Sequence, residues 1–203
     1  ETARMQIGSG EMSVGGSYDR ASEQFDLSFN TKAFPLAVLL AVLPPNDNIP
    51  AIAGNADITA TATGVSSRTS TYNVSFNGSA SNVVVADQVL GSIKFNGNTA
   101  DGILISDLIA DLDGHRQVLI GSVNFADPTM PINVSTNFDQ SPIAPFLVFI
   151  PLLRDFPITG TGTGRVSVSG PLVQKDSNGN DVFSADGISG DAEFTQLALQ
   201  IQD

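Results

Sequence analysis

From Ala56 to Thr63, apolar and polar side chains alternate without a break. Ala56, Ile58, Ala60 and Ala62 project to one side of an extended chain; Asp57, Thr59, Thr61 and Thr63 project to the other. This pattern fits a strand, where successive Cβ atoms point to opposite faces. The alternation recurs. Phe25, Leu27 and Phe29 are separated by Asp26 and Ser28, and Tyr72, Val74 and Phe76 by Asn73 and Ser75. Ile93 and Phe95 flank Lys94, and Val123 and Phe125 flank Asn124. Val166 and Val168 alternate with Arg165, Ser167 and Ser169, and Leu197, Leu199 and Ile201 with Ala198, Gln200 and Gln202. Strand after strand carries one apolar face and one small polar face, as in an antiparallel sheet wetted on one side.

Glycine pairs supply the expected turns: Gly15-Gly16, Asn77-Gly78, Asn96-Gly97, Asp101-Gly102, Asp113-Gly114, Asn178-Gly179 and Asp186-Gly187. Asn-Gly and Asp-Gly suit the φ > 0 positions of tight hairpins. The sequence therefore predicts an all-β fold, a repeated antiparallel meander. Its 19 glycines and low charged fraction of 15% agree with strands and tight turns.

Two segments break the alternation. Phe34 to Pro45 and Pro142 to Leu153 are continuously apolar apart from their bounding prolines. Proline suits a first helical turn and stops a helix at its far end, so each reads as a short buried helix. Neither reaches the roughly 18–20 apolar residues that span a bilayer. The same segments carry a repeat. Pro35, Ala37, Leu40 and Pro44 match Pro142, Ala144, Leu147 and Pro151 at a spacing of 107 (142 − 35). Ile52, Gly54 and Gly64 match Ile158, Gly160 and Gly170 at 106 (160 − 54). The chain reads as one β-rich segment of a longer protein, with two stacked units at about 20–125 and 126–203. Stacked units of this kind share a continuous apolar face.

Charge narrows the partners. Nine Lys and Arg against 21 Asp and Glu give a net charge of −12. Such a surface repels phosphate, which excludes nucleic acid as a natural partner and disfavours anionic membrane surfaces. No cysteine is present, so disulfides, thiolate metal sites and thiol nucleophiles are excluded. The N-terminus lacks a basic stretch followed by an apolar one, so any membrane anchor is expected outside this chain.

No segment assembles a catalytic set. His115, the only histidine, sits in Asp113-Gly114-His115-Arg116, a polar turn. Asp101 and Asp113 belong to Asp-Gly turns, while Asp107 and Asp111 alternate with leucine on a solvated strand. Asp176-Ser-Asn178-Gly-Asn180-Asp181 has the outline of a calcium loop, but Asp181 stands where glycine is needed and Gly187 where the bidentate glutamate belongs. Gly160, Gly162 and Gly164 fit no phosphate-loop spacing and instead keep one strand face slim. Asn73, Asn77 and Asn133 match the N-glycosylation pattern, which an Asn- and Ser-rich chain produces by chance. The chain reads as non-enzymatic, with no cofactor and no metal.

The apolar face is what remains. It is read at Phe25, Leu27, Phe29, Ile58, Val74, Phe76, Ile93, Phe95, Val123, Phe125, Val166, Val168, Leu197 and Leu199. It is either the core of a closed β-sandwich, as in a surface or adhesin module, or the lining of an incompletely closed sheet that binds acyl chains.

The strand Ile158-Thr-Gly-Thr-Gly-Thr-Gly-Arg-Val-Ser-Val-Ser-Gly-Pro-Leu172 and the segment Leu112-Asp-Gly-His-Arg-Gln-Val-Leu-Ile-Gly-Ser-Val-Asn-Phe125 resemble recurring phrases of the translocation and assembly module TamB, of the wider AsmA-like group. The likeness covers most of the chain in patches, and the two Pro-bounded segments depart from it. The resemblance implies a sheet curled lengthwise into an elongated, taco-like trough with an apolar lumen. It implies the periplasm, with the parent protein anchored in the inner membrane. It also implies a bridge that conducts phospholipid between the inner and outer membranes. A scaffold for outer-membrane protein or autotransporter assembly, with a BamA-like barrel as partner, is the alternative it carries.

Overall fold

A computed structural model describes residues 2–41, 51–85, 87–112, 115–143, 158–184 and 187–201. The described chain is all-β. Ten strands run as an antiparallel meander: β1 (Thr2–Ile7), β2 (Gly10–Asp19), β3 (Gln24–Pro35), β4 (Ile52–Val65), β5 (Arg68–Val85), β6 (Gln88–Ala100), β7 (Ile103–Leu112), β8 (His115–Asn124), β9 (Pro131–Pro142) and β10 (Ile158–Pro171). A small hairpin, β11 (Val173–Lys175) and β12 (Asp181–Phe183), then interrupts it. The last strand, β13 (Ser189–Ile201), returns to pair with β10 and completes an 11-stranded sheet. β1 and β13 form its two edges and do not pair with each other, so the sheet is not closed into a barrel.

The register explains why the alternation is so regular. Residues directly opposite each other on antiparallel strands share a face. One row crosses the sheet as Phe29, Ala60, Phe76, Gly97, Ser106, Gly121, Val134 and Val168. A parallel row runs Thr31, Ile58, Gly78, Phe95, Leu108, Leu119, Thr136 and Val166. Between β5 and β6 each phenylalanine of these rows faces a glycine, Phe76 opposite Gly97 and Phe95 opposite Gly78, so the rings find room. A Cβ added at Gly78 would lie 2.7 Å from the Phe95 ring, and one added at Gly97 would lie 2.5 Å from the Phe76 ring.

Burial concentrates at one end of the strands. The row Phe34, Ala56, Ala80, Ile93, Ala110 and Gln117 contains the best-buried side chains of this face, with Phe34 and Ala56 at 0% exposure. Val83, Val85 and Leu90 join Ala80 and Ala110 in a core cluster. Helix α1 (Leu36–Leu40) contributes Leu36 to that cluster and leans it over Gly54. Thr31 holds the sheet together where β3 bulges. Its hydroxyl donates to the Ala56 carbonyl (3.1 Å) and accepts from the Ile58 N–H (2.9 Å), supplying what the interrupted ladder lacks.

Several local expectations need correction. Gly15-Gly16 lies within β2, Asn77-Gly78 within β5 and Asn96-Gly97 within β6, so none of these is a turn. Their glycines serve cross-strand packing instead: a Cβ at Gly16 would meet Leu27 at 2.8 Å, as the rings do at Gly78 and Gly97. Asp101-Gly102 and Asn178-Gly179 do form turns. Asp113-Gly114 and Asp186 lie outside the described residues. Among the described residues of the first apolar segment, Leu36–Leu40 form α1, while Phe34 and Pro35 remain paired to β4. Residues 42–50 and 144–157, which hold the rest of both segments, lie outside the described residues.

The strand bounds recur along the chain. β2 and β8 match at an offset of 105 at both ends (115 − 10 and 124 − 19). β3 and β9 match at 107 (131 − 24 and 142 − 35), and β4 and β10 at 106 (158 − 52 and 171 − 65). Irregularities recur with them. Ala33 and Gln140, 107 apart, have φ of +47° and +43°, and Glu23 and Met130, also 107 apart, have +56° and +43°. Gly54 and Gly160, with φ of +130° and +137°, occupy a region that residues with a Cβ avoid. Even a bulge contact repeats: Ala33 N–H donates to Asp57 (2.8 Å) and Gln140 N–H donates to Thr163 (3.0 Å).

Candidate binding face

The register puts Phe25, Leu27, Phe29, Ile58, Val74, Phe76, Ile93, Phe95, Val123, Val166, Val168, Leu197 and Leu199 on a single face of the large sheet. Phe125 follows β8 two residues past Val123 and touches Tyr72 of the same face. None of the expected residues with a described side chain is buried. Leu27 and Leu197 are each 46% exposed, and the others are half-buried. The side chain of Leu199 lies outside the described ones. Among the described residues, no second large sheet covers this face; the only other sheet is the two-stranded β11–β12 hairpin.

The face has two unlike ends. At the α1 end it is packed shut by the core cluster. At the other end aromatic rings line the rim. Phe25 meets Tyr72 edge-on at 5.3 Å between centroids, and Tyr72 meets Phe125 at 5.7 Å. The tyrosine hydroxyls turn outward to Ser66: Tyr72 donates to its carbonyl (3.2 Å), and Tyr18 lies 3.3 Å from its hydroxyl. Tyrosine suits such a boundary, having an apolar ring and a polar tip. Beside this face, a cleft of about 760 Å³ over β1–β3 mixes Met5 and Met12 with Arg4, Glu11, Asn30 and Lys32.

Leu104, Leu108 and Leu119 also lie on this face, opposite Val123, Phe95 and Thr136. Periodicity alone does not assign them, because β7 is apolar on both sides. Its outward residues Ile103, Ile105 and Ile109 join Val118 and Ile120 of β8 as an apolar patch. This departs from the expected small polar outer face, since Ile105 and Ile120 are more than half exposed. Elsewhere that face is polar, as in the row Asn30, Thr59, Asn77 and Asn96.

The motifs weighed for chemistry take up structural places. Asp176 holds the β11–β12 turn, accepting from the N–H groups of Asn178 and Asn180 at 2.8 Å each. The Asn180 bond is the main cause that holds its carboxyl below the usual carboxylate range. Hydrogen bonds likewise lower Asp19, chiefly from the Ser22 hydroxyl, and Asp127, chiefly from the Thr129 N–H. His115 opens β8 opposite Leu112, and Asp107 and Asp111 face Ile120 and Arg116 on the outer side. Asp101 lies in the β6–β7 turn, and Asp113 is outside the described residues. Gly162 and Gly164 admit close approach, since a Cβ at Gly162 would meet Ile143 at 3.0 Å and one at Gly164 would strike the Glu193 carbonyl. No cluster of three or more metal-ligating side chains occurs among the described residues, and no described helix is long and apolar enough to cross a membrane.

No family model matches the chain. Nor does any curated protein or solved structure.

Proposed function

We propose that this open apolar face holds the acyl chains of phospholipid, as one segment of a trough that conducts lipid between the inner and outer membranes of a bacterial envelope. The observation that carries this reading is the continuity of the face. From Phe29 on β3 to Val168 on β10 is seven inter-strand steps. At about 4.8 Å per step this is roughly 34 Å, more than twice the ~15 Å depth of one leaflet's hydrocarbon. An acyl chain lying along such a row stays covered for its whole length.

The energetics follow from apolar transfer. Each acyl methylene brought out of water gains about 0.8 kcal/mol. Phenylalanine, valine and leucine side chains drawn from neighbouring rows of the face supply that gain without a specific anchor, so affinity spreads along the face and a chain can slide. The headgroup stays at the aromatic rim, where the tyrosine hydroxyls lie. The net charge of −12 repels anionic headgroups, so a zwitterionic lipid is the preferred cargo.

Titration with an acyl-chain fluorophore tests this. A saturable rise in emission, reversed by unlabelled zwitterionic phospholipid, is the expected result. An unsaturable signal, or one that phospholipid does not displace, would contradict it.

A further inference from the structure

The outer side of β7 and β8 carries an apolar stripe that the sheet itself does not need. The β1–β2 hairpin is its counterpart: Ile7 faces Gly10 and Leu112 faces His115, both at an offset of 105 (112 − 7 and 115 − 10). The outward pairs Asp107–Ile120 and Ile109–Val118 then correspond to Thr2–Gly15 and Arg4–Ser13. The same ladder accepts small and polar residues at these positions, so strand pairing does not call for isoleucine or valine there.

The stripe consists of Ile103, Ile105, Ile109, Val118 and Ile120, of which Ile105 and Ile120 are more than half exposed. In its midst stands Asp107, half-buried, opposite Ile120 and between Ile105 and Ile109 along β7. Its carboxylate forms no ion pair or hydrogen bond with any described residue. The cations of the neighbouring strands stand elsewhere, Lys94 opposite Ile109 and Arg116 opposite Asp111. A carboxylate among isoleucines loses solvation without gaining a partner, and an exposed apolar patch rimmed by polar residues marks an interaction site.

We propose that this stripe docks an amphipathic helix of a protein partner, one whose apolar side carries a single arginine or lysine placed over Asp107. Shape selects the helix. The stripe is two strands wide, about 10 Å, and runs from Ile103 to Ile109 along β7, about 20 Å. Asn96 and Asn98 on β6 bound it on one side, and Asn133, Ser135 and Asn137 on β9 on the other. One helix has that diameter, and about 13 helical residues have that length. A second sheet would lie over both polar rows. Charge selects the cation. A second copy of the chain would bring another Asp107 into the same apolar contact, and a lipid surface would take this carboxylate into hydrocarbon unpaired. An arginine or lysine pairs with it, and exclusion of water by the surrounding isoleucines strengthens the pair.

The probes are two dye-labelled synthetic helices of about 14 residues, identical in composition. One carries arginine in the centre of a leucine stripe; the other carries that arginine on its polar side. Each is titrated against the full chain by fluorescence anisotropy. The central-arginine helix is expected to bind about tenfold more tightly than its isomer, the low end for a close charge pair at an interface. Asp107→Asn, which keeps the shape of the side chain, is expected to abolish that preference. Ile120→Ser and Ile105→Ser are each expected to weaken both helices. The stripe faces away from the proposed acyl face, so helix binding and lipid binding can fail separately. Equal affinity for the two helices, a preference that survives Asp107→Asn, or no binding of either would overturn the proposal. Self-association of the chain that Ile120→Ser abolishes would overturn this choice of occupant.

Discussion

A glutamate at Phe95 is expected to lower acyl-chain affinity about a hundredfold. The Phe95 ring lies over Gly78, stands opposite Leu108 and meets Phe76 at 6.3 Å between centroids, in the middle of the open face. A carboxylate held against hydrocarbon costs about 3 kcal/mol, which is roughly a hundredfold in a binding constant. Phe95 also packs against the core cluster, so this change weakens folding too. Leu27→Glu separates the two effects. Leu27 is 46% exposed and faces only Gly16 and Ala62 across its neighbouring strands. Its variant is expected to keep the parent's urea midpoint while losing acyl binding. Fluorophore titration and urea unfolding on both variants check this. Undiminished binding in folded Leu27→Glu would remove this face from lipid contact.

The second large effect is on stability. Phe34→Ala is expected to cost about 3–5 kcal/mol, the range for removing a fully buried phenylalanine from a packed site. Phe34 is 0% exposed and sits where β3 bulges, opposite Ala56, with Gly10 close against its backbone. Domains of this size are stable by about 5–15 kcal/mol, so the loss is a large share of the total. Phe29→Ala, on the half-buried part of the same face, is expected to cost much less. Urea denaturation reads the difference as a lower midpoint at constant slope. Equal losses at the two positions would mean that the face around Phe29 is as fully covered as the core end.

Period-two alternation made the strands and their shared apolar face legible, because the side-chain direction of a strand depends on parity alone. It did not say what covers that face. Phe34, at the head of the first apolar segment, is a strand residue buried at a bulge, while Phe29 of the alternation stays half-open in its row. The bulges themselves were invisible, since Ala33 and Gln140 carry positive φ without being glycine. Asn77-Gly78 and Asn96-Gly97 lie within strands, against their turn propensity, for a reason of scale. Local propensity favours a turn there, but long strands with a phenylalanine opposite each glycine override it. β7 was ambiguous because isoleucine and leucine fill both its faces. The spacing of 106 and 107 was visible in prolines and glycines. Its extension to β2 and β8, which share only Gly16/Gly121 and Ser17/Ser122 at the offset of 105, emerges from strand bounds and register.

The most direct measurement is native mass spectrometry with lipid extraction on the protein purified from bacterial cells, run beside Leu27→Glu. Co-purifying zwitterionic phospholipid, present on the parent and absent from the folded variant, is the predicted result. A stable, lipid-free parent chain would contradict the account.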